Sequence, residues 1–207
     1  MLNEKKKRST FAIALSALGS VLFGILLISL LLFAVFNFWV NKNCFVVEVS
    51  GDSMLNTVES GDLLYVRNVE PKRGDIVIIS VKNYTAEDGF HFSGDYIIKR
   101  LIAVEGDTVQ CEDGVISVKY AGSDEFVVLD EPYIRGKTPD FEVENTVTVG
   151  QGEIFFLGDN RENSYDSTEL GCLLKKDIVG VVPDWSLEIK SFTTFWEKMR
   201  TKMSVHQ

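Results

Sequence analysis

The sequence predicts a mainly β domain preceded by one transmembrane helix. Two observations indicate the β domain: short β-branched and aromatic runs recur along the chain, and Gly-Asp or Asp-Gly pairs separate several of them. A third observation indicates the helix, because residues 11–40 include no charged side chain. A chain of 207 residues is long enough for one such helix and one sizeable domain.

The apolar run at 11–40 exceeds the roughly 20 residues that a membrane span requires. A cleavable signal peptide is one alternative, but its apolar core has only about 7–15 residues and is followed by small side chains. This run ends instead at Phe38, Trp39 and Val40. A buried core helix is the other alternative, and the length of the uncharged run disfavours it. The run is therefore predicted to be a transmembrane anchor.

The flanking charges predict the orientation of the anchor. Four basic residues at 5–8 precede it, and only Lys42 closely follows it. Because positive charge stays on the cytoplasmic side, residues 1–10 are predicted to form a cytoplasmic tail. The domain at 43–190 is then extracytoplasmic and works near the bilayer, with membrane lipid as a partner.

Charge and composition exclude several classes of function. The net charge is −9, and without the first ten residues the chain has 17 basic and 29 acidic residues. An acidic domain is a poor partner for nucleic acid, whose phosphates require a basic face. Cys44, Cys111 and Cys172 are irregularly spaced, and His91 and His206 are the only histidines. This set predicts no disulfide framework, no metal site and no cofactor.

Strand-like segments recur throughout the predicted domain, with no sustained helical period. They lie at 44–49, 63–69, 76–81, 96–104, 108–111, 115–120, 154–157 and 178–182. Asp113-Gly114 predicts a hairpin between the fifth and sixth segments. Residues 121–148 are polar with short strand-like pieces, as expected of an insertion. The pattern favours orthogonal sheets or a partly open barrel.

The C-terminal tail, residues 191–207, has apolar residues near helical spacing between 192 and 203, with basic residues beside them. An amphipathic helix with this pattern lies either on a membrane surface or against the domain. The sequence does not distinguish these two possibilities.

Peptide hydrolysis requires a nucleophile, a base and donors for the oxyanion. In SGDSM, residues 50–54, Ser53 follows a glycine-containing turn that would expose its hydroxyl and free nearby backbone N–H groups. A serine after a turn is more often a solvated loop residue or a cap, so the segment needs support from elsewhere.

Lys99 lies in the predicted strand 96–104. Strand alternation places it on one face with Ile97 and Leu101, and Arg100 on the other face. Apolar neighbours would lower the pKa of Lys99, so its neutral amine could accept a proton from a serine. Arg100 cannot do this, because a guanidinium stays charged. The alternative is a lysine that extends from the strand edge into water.

The loop GDNRENSYDS at 158–167 follows an apolar strand. Polar residues at this density usually bond to one another: they are Asp159, Asn160, Arg161, Asn163, Ser164, Asp166 and Ser167. A hydroxyl such as that of Ser164 could orient the lysine amine. The alternative is an ordinary surface turn with Asx-type bonds.

Together these segments resemble the bacterial type I signal peptidases, a family with a Ser/Lys dyad, in its Gram-positive-like branch. The order of anchor, SGDSM, RGDIV (73–77), YIIKRLIAVEGDTV (96–109) and GDNRENSYDS covers nearly the whole chain. The resemblance implies a β core of the signal-peptidase or LexA-like kind, with a small β insertion at about 107–150. It also implies a membrane-bound serine endopeptidase that removes signal peptides from secreted preproteins after small residues such as Ala-x-Ala.

The resemblance implies roles for individual residues. Ser53 would be the nucleophile and would donate its backbone N–H to the oxyanion, Lys99 would be the general base, and Ser164 would hydrogen-bond the lysine. Gly51 stands where some relatives carry a second oxyanion-hole serine. The supporting residues implied by the resemblance are Gly51, Met54, Asp159, Asn160, Arg161 and Asp166.

Three positions depart from the family pattern. Asn56 and Glu105 stand where prolines are usual, and Thr168 replaces an arginine expected to pair with Asp166. Arg161 is the alternative partner for that carboxylate. The departures leave nucleophile and base unchanged, and they suggest a specialised member that serves few substrates, such as surface pilins.

Other functions compete with this interpretation. A non-catalytic relative, acting as a chaperone for pilin or secreted-subunit assembly, is favoured by the loop departures and opposed by the intact Ser/Lys pair. A self-cleaving repressor of related fold would require a DNA-binding domain where residues 1–40 form an anchor. A Ser/His peptidase would require histidine at position 99.

Overall fold

The structure is a computed structural model that describes residues 2–84, 92, 94–139 and 146–196. The chain divides into two units, Met1–Asn43 and Cys44–Gln207. Within the second unit, the part of the predicted C-terminal helix beyond residue 196 lies outside the described residues. Residues 190–196 are helical.

The first unit is a single helix, α1 (Leu2–Asn43), which extends beyond the predicted span 11–40 at both ends. Its Leu15–Asn43 part has 29 residues and includes an 18-residue stretch of mean hydropathy 2.7, so it is long and apolar enough to cross a membrane. At 1.5 Å per residue this part measures about 43 Å, more than the roughly 30 Å of a hydrocarbon core. Large side chains such as Leu22 and Leu31 are exposed along it, which suits a lipid environment.

The described residues of the second unit form eleven strands, so the prediction of a mainly β domain is confirmed. In chain order they are β1 (Cys44–Glu48), β2 (Leu63–Arg67), β3 (Ile76–Ser80), β4 (Tyr96–Val104), β5 (Thr108–Glu112), β6 (Val115–Lys119), β7 (Val127–Val128), β8 (Thr146–Thr148), β9 (Glu153–Leu157), β10 (Leu173–Leu174) and β11 (Ile178–Val182). All eight segments predicted as strands contain one. The short helices α2 (Ser167–Leu170) and α3 (Asp184–Glu188) and the two-residue β10 were not predicted, because such short elements have no periodicity to detect.

The larger sheet has seven antiparallel strands in the order β1-β2-β11-β3-β4-β9-β10. β4 is an interior strand with β3 on one side and β9 on the other. A buried apolar cluster that includes Val49, Met54, Val58, Ile78 and Ile98 packs against one part of this sheet. The strand that carries Lys99 is therefore held on both edges.

The smaller sheet has four strands in the order β7-β6-β5-β8, within the region predicted as an insertion. Asp113 and Gly114 both have positive φ, 52° and 81°, as in the type I′ turn that the Asp-Gly pair predicts. An apolar cluster that includes Val109, Ile116 and Phe155 joins this sheet to β9. The two sheets therefore share a core.

Two of the sequence motifs meet where the sheets join. Arg73 of RGDIV donates from Nε to Asp107 Oδ2 at 2.6 Å and from Nη2 to Oδ1 at 2.7 Å. The Asp107 carboxylate is fully buried, and it also accepts bonds from the backbone N–H groups of Val104 and Ala121. The buried carboxylate is thus fully bonded and links the turns of the two sheets. Nearby, the Glu105 carboxylate accepts a hydrogen bond from the Gly152 N–H at 2.9 Å. A proline, which is usual at position 105 in the family, could not form this bond.

Candidate active site

The turn that carries Ser53 follows β1. It is anchored to the core by Met54, the residue after Ser53. Met54 is only 1% exposed and Val58 is fully buried, both in the core beside Ile78. Gly51 has a φ of 91°, in the region that favours glycine, although a Cβ there would meet no atom within 4 Å. The turn therefore requires Gly51 for its backbone conformation, and Met54 fixes the turn to the core.

Lys99 lies on β4, an interior strand of the larger sheet, opposite Val77 of β3. Its side chain is buried, and its Nζ donates a hydrogen bond to Ser53 Oγ at 2.7 Å. Burial lowers the pKa of Lys99 to about 8, although the negative charges of Asp166, Glu169 and Asp159 oppose the shift. The structure therefore brings together the two residues predicted as nucleophile and base.

This arrangement suits general base catalysis. A neutral amine at hydrogen-bond distance can accept the serine proton as the hydroxyl attacks a carbonyl carbon. A substantial fraction of the Lys99 amine is neutral near pH 8, because its pKa lies there. An ordinary exposed lysine is almost fully protonated at that pH.

Asn160 forms two hydrogen bonds to the turn that carries Ser53. Its backbone N–H donates to the carbonyl of Ser53 at 3.0 Å, and its Nδ2 donates to the carbonyl of Asp52 at 2.9 Å. The residue is 5% exposed, so both bonds are shielded from water. Asn160 therefore fixes the peptide units on both sides of Ser53.

Gly158 allows the loop to approach the turn closely. A Cβ at this position would lie 2.5 Å from the Ser53 carbonyl oxygen and 2.2 Å from Ser164 Oγ. Real Cβ atoms do not come so close to a backbone oxygen, so only glycine fits without movement of the backbone. The Gly158 N–H donates to Asp166 Oδ2 at 2.8 Å.

Asp159 is paired with Arg100, for which the sequence predicted no role in the site. The Arg100 guanidinium donates to both carboxylate oxygens, at 2.8 and 2.6 Å, and the Thr57 hydroxyl also donates to Asp159. Arg100 further donates to the Gly74 carbonyl and lies 3.8 Å from the Tyr133 ring centre. The fully buried Asp159 carboxylate is thus neutralised, as the cost of burying a lone charge requires.

Asp166 is satisfied by neutral donors. It caps α2 through a capping box with Glu169, and its carboxylate accepts bonds from the N–H and hydroxyl of Thr168 and from Gly158. Thr168 therefore supplies hydrogen bonds at the position where an arginine was expected.

Two expectations about the loop differ from the structure. The Arg161 guanidinium bonds to Glu131, to the Thr138 hydroxyl and to the Gly158 carbonyl, so its proposed pairing with Asp166 is wrong. The expected bond between Ser164 and Lys99 is not formed, since Ser164 Oγ is buried without a hydrogen-bond partner among the described residues. Ser164 Oγ lies instead beside Gly158, where an added Cβ would be 2.2 Å from it.

The third departure from the family pattern has a conformational basis. Asn56 has a φ of 82°, and its Nδ2 donates to the Ile134 carbonyl at 3.3 Å. A proline ring fixes φ near −65°, so proline cannot occupy this conformation. Asparagine is one of the few side chains that tolerate it. Asn56 is thus matched to the local backbone of this chain.

A cavity of about 570 Å³ opens beside the two central residues, which line one wall. Most of its remaining wall is apolar and includes Val47, Val49, Ile98 and Val179. A cavity of this size can hold several residues of an extended peptide lying next to Ser53.

Comparisons with known proteins identify the family of this chain. Residues 18–185 match the family model described as signal peptidase, peptidase S26, and the chain belongs to this family. It is 33% identical to a probable signal peptidase I-1 from Synechocystis sp. over 161 residues, which cover 75% of this chain and 76% of the relative. It is 35% identical to a signal peptidase I from Bacillus licheniformis over 146 residues, which cover 64% and 70% of the two chains. A crystal structure of a signal peptidase I from Enterococcus faecalis has 28% sequence identity and a TM-score of 0.43, and the match covers 56% of this chain and 98% of that one.

Proposed function

We propose that this protein is a membrane-anchored serine endopeptidase that removes N-terminal signal peptides from secreted preproteins. Family membership and the similarity to proteins named signal peptidase I support the reaction. The single observation that carries the chemistry is the 2.7 Å hydrogen bond from Lys99 Nζ to Ser53 Oγ within a buried, apolar setting. Ser53 acts as nucleophile and Lys99 as general base.

In the first half of the reaction, neutral Lys99 takes the proton of Ser53 Oγ as this oxygen attacks the carbonyl carbon of the scissile bond. Negative charge develops on the carbonyl oxygen, and the backbone N–H of Ser53 donates to it. The Lys99 ammonium then gives its proton to the leaving amine of the mature protein. The signal peptide remains as an ester on Ser53.

In the second half, Lys99 is again neutral and takes a proton from water, which attacks the ester carbonyl. The proton returns to Ser53 Oγ as the ester bond breaks, and the signal peptide leaves with a free carboxylate. Lys99 therefore carries one proton in each half, and no cofactor takes part in these steps. Uncharged residues before the cut suit the mostly apolar wall of the cavity beside Ser53.

The proposed orientation places the N-terminus in the cytoplasm and the β domain outside. The basic residues at 5–8 support it. Protease added to right-side-out membrane vesicles should digest a tag at residue 207 and spare a tag at residue 1. The reverse pattern would overturn the orientation without affecting the proposed chemistry.

The test of the reaction uses the full-length protein in detergent with a preprotein substrate. Mass spectrometry should find one cut after the signal peptide, and Ser53→Ala should abolish it. Ser123→Ala changes an exposed serine of the insertion and should leave the rate unchanged. Cleavage by Ser53→Ala at the rate of the unaltered protein would exclude Ser53 as the nucleophile.

The non-catalytic alternative, a chaperone for pilin or secreted-subunit assembly, gains no support from the site. An assembly factor does not require a lysine of lowered pKa against a serine hydroxyl. The same Ser53→Ala variant separates the two functions, since a chaperone would keep its activity.

A further inference from the structure

We propose that Glu131 is a positioning residue for the turn that carries Ser53, residues 50–54, which is called the nucleophile turn below. It lies in residues 131–138, a segment that follows β7 and is called the strap below. The strap contacts the loop 158–161 by side-chain and backbone bonds, and this loop in turn holds Ser53. This inference rests on the proposed function, because it assigns to the strap an effect on the same reaction.

The first contact is a buried ion pair. The Arg161 guanidinium donates to both carboxylate oxygens of Glu131, and the two side chains are 1% and 6% exposed. Arg161 also donates to Thr138 at the other end of the strap and, from Nε, to the Gly158 carbonyl at 3.0 Å. Arg161 therefore joins both ends of the strap to the loop, and Glu131 supplies the charge that makes its burial tolerable.

The second set of contacts is made mainly by the backbone. The Arg135 N–H donates to the Asp159 carbonyl at 2.7 Å, and the Arg161 N–H donates to the Arg135 carbonyl at 2.9 Å. The Asn56 side chain bonds to the Ile134 carbonyl. The middle of the strap thus lies against the loop and also reaches the nucleophile turn.

The third contact involves Tyr133. Its hydroxyl donates to Glu131 Oε1 at 3.0 Å, and its ring lies against Arg100, which bonds to Asp159. Burial and the nearby Glu131 charge raise the pKa of Tyr133, so the phenol remains a donor. Glu131 is therefore connected to both arginines that border the loop.

These contacts form a short path to the nucleophile. Glu131 bonds to Arg161, Arg161 directly follows Asn160 in the chain, and Asn160 donates to the Ser53 carbonyl. Because the Ser53 hydroxyl must lie within hydrogen-bond reach of Lys99, a small displacement of the loop moves reacting atoms out of alignment.

The main test compares Glu131→Gln with two control variants. Glu131→Gln keeps the shape of the side chain and removes its charge. We expect kcat to fall on the order of 10–100-fold, with KM within about twofold, at a temperature where the protein stays folded. Asp107→Asn breaks the ion pair with Arg73 and should lower the melting temperature while leaving kcat unchanged. Glu125→Gln alters an exposed carboxylate of the insertion and should change neither.

A double-mutant cycle tests the path itself. If Glu131 acts through the loop, Glu131→Gln combined with Asn160→Ala should lose little more activity than the more damaging single change. If the fold-losses in kcat of the two single variants multiplied in the double variant, Glu131 and Asn160 would act independently, and the proposal would be overturned. Tyr133→Phe provides a milder test, because it removes one bond to Glu131 and keeps the ring on Arg100; we expect a smaller fall in kcat in the same direction.

A readout without activity separates this inference from the proposed function. Hydrogen exchange at the amides of residues 52–55 should be faster in Glu131→Gln than in the unaltered protein, and unchanged in Asp107→Asn. If the unaltered protein cleaved no preprotein, the proposed function would fail, and the exchange rates would still decide the role of the strap. Equal exchange rates at these amides in Glu131→Gln and Asp107→Asn would overturn the proposed role of Glu131 and the strap.

Discussion

The side-chain amide of Asn160 donates to the backbone carbonyl of Asp52 at 2.9 Å, one residue before the serine that lies against Lys99. Together with the bond from its own N–H to the Ser53 carbonyl, this contact makes the position of Ser53, the proposed nucleophile, depend on a residue of a distant loop. Catalytic alignment in this protein is therefore a property of the contact between two loops.

We predict that Asn160→Asp lowers kcat on the order of 10–100-fold, because a carboxylate oxygen replaces the donor and faces the Asp52 carbonyl. Single-turnover cleavage of a preprotein measures the effect. Asn163→Asp is the matched control, since Asn163 is exposed in the same loop. Equal losses in the two variants would show that added charge, and not the lost bond, is responsible.

The rate should rise with pH through about 8, because burial lowers the pKa of Lys99 to that value and only the neutral amine accepts a proton. Below this pH the neutral fraction falls about tenfold per pH unit. A pH profile of kcat/KM between 6 and 10 measures the midpoint. A midpoint typical of a carboxylate would contradict the assignment.

Lys99→Arg should be inactive across the whole pH range, because a guanidinium stays protonated and cannot act as base. Lys176→Ala, which changes an exposed lysine, should keep the pH profile of the unaltered protein. Residual activity in Lys99→Arg that rises near pH 8 would mean that another group titrates there.

Asn56→Pro should destabilise the domain by about 3 kcal/mol or more, because proline cannot adopt a φ of 82°. Asn56→Gly should change stability by less than about 1 kcal/mol, since glycine adopts this conformation readily. Urea unfolding of both variants measures the difference. Equal midpoints would show that the turn tolerates a different backbone.

Gly158→Ala should cost about 3 kcal/mol of stability, since its Cβ would collide with the Ser53 carbonyl oxygen and Ser164 Oγ. Gly51→Ala makes the same chemical change where the surrounding space is empty. It should cost only the backbone strain of about 1–2 kcal/mol. If Gly51→Ala were the more damaging in urea unfolding, the close approach at Gly158 would be less strict than the geometry indicates.

Much of the fold could be predicted because its signals are local. The strand 96–104 follows from its apolar and β-branched residues, and alternation placed Lys99 and Arg100 on opposite faces. Lys99 does contact Ser53, and Arg100 does point elsewhere, toward Asp159. Local patterns therefore indicated which side chains share a face.

The partners of these side chains could not be predicted in the same way. Arg161 was expected near Asp166, five positions along the loop, yet its partner is Glu131 in an irregular segment without a motif. Such pairs depend on how two loops meet in space, which no local period encodes. The positive φ of Asn56 and its bond to Ile134 were likewise not predicted, although asparagine is one of the few residues that tolerate this conformation.

Lys99 and Ser53 lie on elements that differ in how firmly they are held. Lys99 belongs to an interior strand bonded on both edges, whereas Ser53 lies on a turn held by Met54 and the loop at Asn160. A compound that binds between this turn and the loop would therefore inhibit the enzyme by displacing Ser53, without reacting with its hydroxyl. Such a compound would not need an electrophilic group.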